Sequence, residues 1–405
     1  MKLFVCAGEV SGDAILAQIL ARLRSLYPDL VLEGFGGEAS ARQGLVSRLP
    51  LDKMAFNGVW DVLGRAFFCL GMLRLARRSL ARFGPDLVLL VDYPGLNLRL
   101  AALARKLAIP VYYVAPPQIW VYRKPGVRLA GLGRALGGAT LHVVFPFEAP
   151  PLRALGGRVV IGHFLAPPAT PPNPGFQTPG LVSGTPGSEL TQRHLLCLCP
   201  GSRRPVLRRN LPAWLAALAE AGILARTDSR DARTGSRDAG SQGNLELKVL
   251  VPAHLQEETL GLVRGFSVEV TCDKRAVLAQ SRWAIAFPGT ITLELALQGI
   301  PMLVLALVDA LTLAVGKRAL ASGRLGLPSL LLGETIFPEW VGPPGAFHAG
   351  DLLPLWERLR DGVWDFPKLL PRWQNAIGPG SGADLAAGEC LRILEKTVTK
   401  DTIKA

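Results

Sequence analysis

Short apolar runs alternate with longer amphipathic stretches through the first half of the chain. Such runs, bounded by Gly, Pro or polar residues, are typical of buried strands, and the stretches between them repeat apolar residues at the spacing of one helix face. The predicted strands are residues 3–7, 31–35, 87–91, 111–114, 141–144 and 159–161. Alternating helices and apolar strands predict a parallel sheet covered by helices on both faces.

The same alternation begins again after a Pro-, Gly- and Thr-rich stretch without periodicity, residues 167–186. The second series of predicted strands is residues 195–199, 247–251, 268–270, 283–287 and 302–307. The fold class is therefore predicted to be α/β, with two Rossmann-like domains joined by a linker. Ligands of such folds bind beyond the carboxyl ends of the strands, so we expect an inter-domain cleft to hold the ligand.

These patterns divide the chain into four parts. We expect an N-terminal domain over residues 1–166, the linker over 167–186, a C-terminal domain over 187–365 and a final segment over 366–405. The final segment contains a predicted helix for which the N-terminal domain is one candidate partner. A low-complexity insertion at 227–243 has no core-forming residues, which is typical of a surface loop outside the chemistry.

Composition narrows the classes of function. The chain has 405 residues, 49% of them hydrophobic, and a formal net charge of +13. A basic balance suits phosphorylated ligands, an anionic membrane surface or nucleic acid, and nucleic acid is least favoured because the chain has no lysine-rich tail. The six cysteines and five histidines lack metal-ligand spacing, so we expect no metal site and free thiols in a reducing compartment. No cofactor is expected.

Neither the N-terminus nor the apolar stretch 299–315 is predicted to enter a membrane. The N-terminus has one lysine and then a strand too short for a signal-peptide core. The stretch 299–315 carries Pro301 and Asp309, and it is predicted to form a core strand, a turn and a helix.

The first candidate site is the turn that follows the first strand, from Gly8 to Asp13. Backbone N–H groups and the positive end of a helix dipole collect at such a turn, which suits an anion or a polar ligand. The turn departs from the G-x-G-x-x-G pattern of dinucleotide loops, because Glu9 places a carboxylate inside it. The alternative is that Ser11 or Asp13 caps the helix, which leaves Glu9 unexplained.

Two more candidates follow strands of the first half. Asp92 is expected at the carboxyl end of its strand, where burial can tune a general base, and a turn-forming Asp before Pro94 is the alternative. Trp120 and Arg123 come after the strand at 111–114. An aromatic ring beside a guanidinium can stack on a sugar or base and hold a phosphate, and simple packing is the alternative.

Two turns rich in small residues follow strands of the second half. The residues concerned are Gly201, Ser202 and Arg203 in the first turn and Gly289, Thr290 and Glu294 in the second. A small-residue turn with an arginine suits a phosphate. In the second turn, amides at a helix start would take a diphosphate while the carboxylate accepts from ribose hydroxyls. Together the turns predict a nucleotide diphosphate site in the second half.

A further stretch, residues 60–82, combines large apolar side chains with Arg74, Arg77, Arg78 and Arg82. An apolar and then basic helix can lie on an anionic bilayer surface. The alternative is an ordinary core-facing helix with solvated arginines.

These motifs resemble those of the lipid-A-disaccharide synthases, a family of GT-B glycosyltransferases of bacterial lipopolysaccharide synthesis. The similarity runs in order over most of the chain. The stretches that carry it are 7–13, 57–63, 92–97, 113–120, 145–148, 161–163, 200–203 and 289–294.

The resemblance implies an inverting transfer without a catalytic metal. The donor would be UDP-2,3-diacylglucosamine, the acceptor 2,3-diacylglucosamine 1-phosphate (lipid X), and the products the β-1,6-linked disaccharide phosphate and UDP. Asp92 matches the position regarded as the base. The substrate-binding residues implied are Glu9, Ser11, Asn97, Trp120 and Arg123, and the UDP-binding residues are the six of the two second-half turns.

The resemblance also implies a setting. The N-terminal domain would face the acceptor and the membrane, and the C-terminal domain would bind the UDP-sugar. The expected partners are the two acylated sugars and an anionic membrane surface, with no nucleic acid and with an oligomer left open. The expected location is cytoplasmic, peripheral on the inner membrane.

Several positions depart from the family's usual residues, and they keep other functions open. Gly95, Pro288 and Ser329 stand where the family usually has an acid, a serine and an asparagine. In the family's S-P-x-x-W-A-W pattern, Pro117 follows Pro116 here, and Val121 and Tyr122 replace the Ala and the second Trp. The alternatives are another GT-B nucleotide-sugar enzyme, such as a soluble transferase or an epimerase, and a non-catalytic paralogue that binds nucleotide sugar or membrane.

Overall fold

The fold is described by a computed structural model of the chain. It describes residues 1–47, 61–119, 125–155, 157–165, 194–227, 245–309, 313, 323–378 and 380–404, and among these the side chains of 61–70, 125–130 and 397–404 are not described. Two compact units emerge: Met1–Pro174 with Ile377–Ala405, and Gly175–Ala376. The boundary between the second unit and the C-terminal part of the first unit thus lies after Ala376, whereas the sequence analysis placed the start of the final segment at residue 366. The linker 167–186 and all but the first residue of the insertion 227–243 lie outside the described residues.

Seven parallel strands form the sheet of the first unit, in the order β3-β2-β1-β4-β5-β6-β7. The strands are β1 Lys2–Ala7, β2 Val31–Phe35, β3 Val46–Ser47, β4 Leu87–Val91, β5 Val111–Val114, β6 Thr140–Val143 and β7 Val159–Ile161. The helices before the linker are α1 Val10–Leu26, α2 Glu38–Ala41, α3 Asp61–Phe83, α4 Pro94–Lys106, α5 Pro125–Leu136 and α6 Ala149–Arg153.

The central strands of this sheet are covered on both faces, as their uniformly apolar sequences require. In β1, Phe4 and Cys6 belong to a core shared with α3, α4 and α5. Leu3 and Val5 point the other way, into a core shared with α1 and with the C-terminal helix of the chain, Gly382–Lys404. The part of the final segment from Ile377 onward therefore returns to the first unit, and Asp384 of its helix forms an ion pair with Arg22 of α1.

Six parallel strands form the sheet of the second unit, in the order β10-β9-β8-β11-β12-β13. The strands are β8 Leu195–Cys199, β9 Glu246–Leu250, β10 Glu269–Thr271, β11 Ser281–Ala286, β12 Met302–Leu307 and β13 Glu339–Gly342. The helices are α7 Arg204–Glu220, α8 Gln256–Leu262, α9 Lys274–Gln280, α10 Thr290–Leu297, α11 Leu327–Leu332, α12 Ala349–Asp361 and α13 Phe366–Ile377, and the returning helix Gly382–Lys404 is α14.

The predicted α/β class is confirmed by these two sheets. Two edge strands, β3 and β13, were not predicted from the sequence. Strand β3 has only two residues, and β13 lacks an uninterrupted apolar run because it begins with a glutamate, next to Trp340. Of the stretch 299–315, the core strand is confirmed as β12, and most of the predicted helix lies outside the described residues. No described helix is long and apolar enough to cross a bilayer.

Helix α3 carries the apolar and basic stretch. Its described second half buries Met72, Ala76 and Leu80 in the core, and Arg74 and Arg77 on its other side are exposed. This half is an ordinary amphipathic helix. The large apolar side chains at 60–70, which suggested a membrane contact, lie outside the described side chains.

Candidate functional site

The first two motifs meet at the topological switch point of the first sheet. From β1 the chain runs outward through β2 and β3, and from β4 it runs outward the other way. Ala7 of β1 lies level with Val91 of β4, so the turns that follow these residues are neighbours. Open parallel sheets bind their ligands at this point, because the loops diverge there and leave a crevice.

The two turns are packed against each other through Gly8. A Cβ atom on Gly8 would lie 2.1 Å from Cγ of Tyr93, so the tyrosine ring rests on the glycine backbone. Asp92 and Tyr93 have left-handed backbones with φ of 48° and 49°, and Ala115 after the neighbouring β5 has φ of 50°. Three non-glycine residues of this kind at adjoining strand ends store strain that is typical of functional sites.

The backbone of Asp92 is held from two sides, while its side chain is only half-buried. Its carbonyl oxygen accepts hydrogen bonds from Nδ2 of Asn97 at 2.7 Å and from the hydroxyl of Tyr113 at 2.8 Å. Burial raises the pKa of Tyr113 well above its usual value, and the charge of Asp92 raises it further, so the phenol remains a donor. The Asp92 carboxylate therefore stands on a fixed backbone at the carboxyl edge of the sheet.

Asn97 has a positioning role in this structure. Its side chain is fully buried, and its amide also donates to the carbonyl oxygens of Val91 at 3.1 Å and Cys6 at 3.4 Å. The amide thereby ties the end of β1 to the turn after β4. The resemblance implied a direct substrate contact, whereas this geometry favours an indirect action through Asp92.

The turn after β1 is shorter than predicted, because helix α1 already begins at Val10 with Glu9 as its N-cap. Ser11 is consequently an exposed residue of the first helical turn. Asp13 does not cap its own helix: its carboxylate accepts from the backbone N–H of Gly37 at 2.8 Å and of Ala39 at 2.9 Å, at the start of α2. Glu9, half-buried, thus lies at the start of α1 directly after β1, and Asp13 links α1 to α2.

Trp120 and Arg123 lie outside the described residues, so their predicted contacts with a sugar and a phosphate stay predictions. The strand before them is present as β5, and Ile119 is buried in the core of the first unit.

The two predicted phosphate turns meet at the switch point of the second sheet. This point lies between β8 and β11, where Cys199 is level with Ala286. The N–H of Phe287 donates to the carbonyl of Cys199 at 2.9 Å, which extends the pairing into the turns themselves. Each unit therefore places its candidate residues by the same topological rule.

Each of these turns leads into a helix start. Arg203 is the N-cap of α7, and Gly289 is the N-cap of α10, which Thr290 begins. The first N–H groups of a helix have no acceptor inside it, so both ends attract an anion. Gly201 has φ of 109° and a Cβ there would lie 2.9 Å from Val206, so this sharp turn requires glycine.

A third helix start nearby is already capped by the protein. The carboxylate of Glu339 accepts from the N–H groups of Leu325 at 2.6 Å and Gly326 at 3.2 Å, at the start of α11. The hydroxyl of Thr292 accepts from Leu327 at 3.1 Å and donates to Gly289 at 2.7 Å. Of the three helix starts, α7 and α10 are thus the ones suited to a diphosphate.

Two residues of this site were missed by sequence reasoning. Lys274, at the start of α9, forms an ion pair of 2.7 Å with Glu294. Asn210 of α7 is fully buried and accepts from the N–H of Leu307 at 2.7 Å, which ties α7 to the end of β12. An asparagine within a helix is a weak signal, and a lysine distant in sequence gives none.

The described residues contain no group of three or more potential metal ligands.

Comparison with known proteins places this geometry in a family. The family profile described as lipid-A-disaccharide synthetase matches residues 3–349. A lipid-A-disaccharide synthase of Geobacter sulfurreducens is 30% identical over 406 residues and covers 98% of both chains. One from Anaeromyxobacter dehalogenans is 32% identical over 342 residues, covering 84% of this chain and 83% of the relative.

Solved structures agree on the fold. A UDP-GlcNAc 2-epimerase from Neisseria meningitidis has a TM-score of 0.57 at 11% identity, covering 98% of this chain and 100% of that one. The calicheamicin glycosyltransferase has a TM-score of 0.55 at 17% identity, covering 97% and 98%. The predicted GT-B fold is thereby confirmed. The chain belongs to the lipid-A-disaccharide synthase family and is a hexosyltransferase of lipid A biosynthesis.

Proposed function

We propose that the protein transfers 2,3-diacylglucosamine from UDP-2,3-diacylglucosamine to 2,3-diacylglucosamine 1-phosphate. The 6-hydroxyl oxygen of the acceptor bonds to the anomeric carbon, the bond from that carbon to the diphosphate breaks, and UDP leaves. Attack from the opposite face inverts the anomeric centre and gives the β-1,6-linked disaccharide phosphate. Family membership supports the reaction class, and the residues below support the assignment of roles.

The observation that carries the proposal is the placement of motifs at two switch points. An acid on a fixed backbone stands at one, Asp92, and two helix starts with Arg203 stand at the other. An inverting transfer needs a base for the acceptor hydroxyl and positive charge for the departing diphosphate. The chain supplies these on separate units.

In this scheme Asp92 takes the proton of the acceptor hydroxyl. Its half-buried carboxylate is accessible, and Asn97 and Tyr113 hold its backbone through the carbonyl oxygen. Glu9 lies across the same switch point, where its carboxylate accepts from sugar hydroxyls or amide groups. We assign Ser11, Trp120 and Arg123 to the sugar-binding surface on the strength of the resemblance.

The roles on the UDP side follow from the helix starts. Amides at the beginning of α7 and α10, with Gly201, Ser202, Gly289 and Thr290 around them, take the two phosphates. Arg203 adds a positive charge that stabilises the leaving diphosphate. Glu294, one turn into α10, accepts from the ribose. No step requires a metal or a cofactor.

Replacing the base tests the scheme. Asp92→Asn keeps the size of the side chain and removes its basicity, so we expect the rate of UDP release from the two acylated substrates to fall about 100- to 10,000-fold. Asp29→Asn is the matched control, because Asp29 is an exposed residue of the same unit. UDP release at the wild-type rate in Asp92→Asn would exclude Asp92 as the base.

We further propose peripheral contact with an anionic membrane surface, on the cytoplasmic side of the inner membrane. Helix α3 exposes Arg74, Arg77 and Arg78, and each basic residue near such a surface contributes about 1 kcal/mol. The triple change to Gln should lower binding to phosphatidylglycerol vesicles at least about tenfold, and salt should weaken the wild-type binding. Vesicle binding that neither salt nor the triple change affects would contradict this contact.

A further inference from the structure

Glu294 is held by a lysine on another helix. Nζ of Lys274 lies 2.7 Å from Oε2 of Glu294. The glutamate side chain is 15% exposed, and the lysine side chain is 55% exposed. The acid is therefore shielded, and the cation reaches it from the solvent side. One carboxylate oxygen is engaged by the lysine, and a carboxylate has acceptor positions on both oxygens.

The pair stands beside the two turns of the nucleotide site. Glu294 lies in α10, which begins directly after the turn that follows β11, and Lys274 contacts it, so both lie close to the switch point. A hydrogen bond with Cys197 and burial raise the pKa of Cys199 well above its usual value, Glu294 raises it further and Lys274 opposes this. Glu294 itself lies one turn beyond Gly289 and Thr290 on α10.

Helix stability does not explain the lysine. Lys274 is the first residue of α9, where the helix dipole disfavours a cation. Asp273 already caps this helix by accepting from the N–H of Ala276 at 3.0 Å. An ion pair whose cation is more than half exposed also contributes little to folding. The position of Lys274 is therefore better explained by what it does to Glu294.

A carboxylate close to a bound diphosphate needs such a partner. Without a cation, its negative charge would repel the phosphates at the starts of α7 and α10. With one, the repulsion is offset and the carboxylate is fixed in one orientation. The free oxygen then presents a strong acceptor to a hydroxyl donor of the ribose.

We propose that Lys274 is a positioning residue of the nucleotide site, which orients Glu294 toward the ribose and offsets its repulsion of the diphosphate. The inference rests on the proposed function, because it takes the bound nucleotide to be UDP. It adds a residue that neither the motifs nor the resemblance contained.

The test is UDP binding to the full chain by calorimetry. Lys274→Met should raise the Kd for UDP about tenfold, and Lys274→Arg should keep it within about threefold of wild type. The wild-type preference for UDP over 2′-deoxy- or 3′-deoxy-UDP should shrink in Lys274→Met. In turnover assays, the KM for the donor should rise while kcat changes less than about twofold.

A double-mutant cycle tests whether the lysine acts through Glu294. Adding Lys274→Met to Glu294→Gln should weaken UDP binding no further. Lys368→Met is the matched control, because this exposed lysine of the same unit pairs with Asp365 at 2.8 Å. Lys274→Gln repeats the test with a polar chain, and thermal unfolding checks that each variant is folded.

The outcomes separate this inference from the proposed function. Wild-type UDP affinity in Lys274→Met and Lys274→Gln, or additive losses in the cycle, would overturn the role of Lys274 and leave the function standing. A wild-type protein that does not bind UDP would overturn both.

Discussion

At the scale of single residues, the first site depends on a glycine that makes room for a ring. The missing side chain of Gly8 lets the ring of Tyr93 lie on the backbone, and this contact accompanies the left-handed turn at Asp92. The sequence placed Asp92 at a strand end but could not reveal this contact, because it joins residues far apart in the chain. Nor could it reveal that Asp13 caps α2, because in the sequence Asp13 stands close to the start of α1 and the simplest expectation is that it caps that helix.

Gly8→Ala tests this contact. The new methyl group overlaps the Tyr93 ring, so we expect a loss of about 1–3 kcal/mol in the free energy of unfolding and a fall in transfer rate as the turn moves. Gly95→Ala is the control, because a Cβ there has no atom within 4 Å and the residue lies in α4. Urea unfolding and UDP release measure the two effects, and a Gly8→Ala protein as stable and active as Gly95→Ala would refute the role of the contact.

At the scale of elements, the apolar runs predicted the central strands to within a few residues because burial on both faces leaves an uninterrupted apolar sequence. The edge strands β3 and β13 were missed because half-exposed residues need no such run, whereas the edge strands β7 and β10 were predicted. The sequence also could not predict which unit α14 packs against. The sequence of an amphipathic helix shows which face is buried, but the rest of the fold decides which neighbour covers that face. In the structure α14 packs on α1 and beside β7. Two histidines of this region, His142 and His163, are buried.

These histidines make the first unit sensitive to acid. His142 accepts from the Tyr112 hydroxyl and donates to the Gly162 carbonyl, and burial lowers its pKa from 6.5 to about 4, against the opposing effects of Gly162 and Glu389. Burial, with the nearby His142, likewise lowers the pKa of His163 to about 4. The unfolded chain therefore binds protons between pH 6.5 and 4 that the folded unit does not.

Stability should accordingly be complete above about pH 6.5 and fall as the pH drops toward about 4, by about 3 kcal/mol for His142 alone. Urea unfolding at several pH values measures this loss. His142→Gln removes one titrating group, so its stability should depend less on pH than that of the wild type. A histidine signal of the folded protein that titrates near pH 6.5 and is absent in His142→Gln would contradict the burial argument.

At the scale of the whole molecule, the chain consists of two units that share one design. Each has a parallel sheet with a switch point, and each brings two sequence motifs to that point. The sequence predicted both series of strands and a division between them. It could not predict that residues 377–405 return to the first unit, because this depends on a surface formed by α1 and the sheet.

The central claim is that these two sites together transfer an acylated sugar, and product analysis tests it most directly. The purified protein is incubated with UDP-2,3-diacylglucosamine and 2,3-diacylglucosamine 1-phosphate, and the lipid products are separated by thin-layer chromatography and identified by mass and anomeric configuration. We predict a β-linked disaccharide phosphate formed in equal amount to UDP. Release of UDP without disaccharide, an α-linkage, or an epimerised UDP-sugar as the product would contradict the claim.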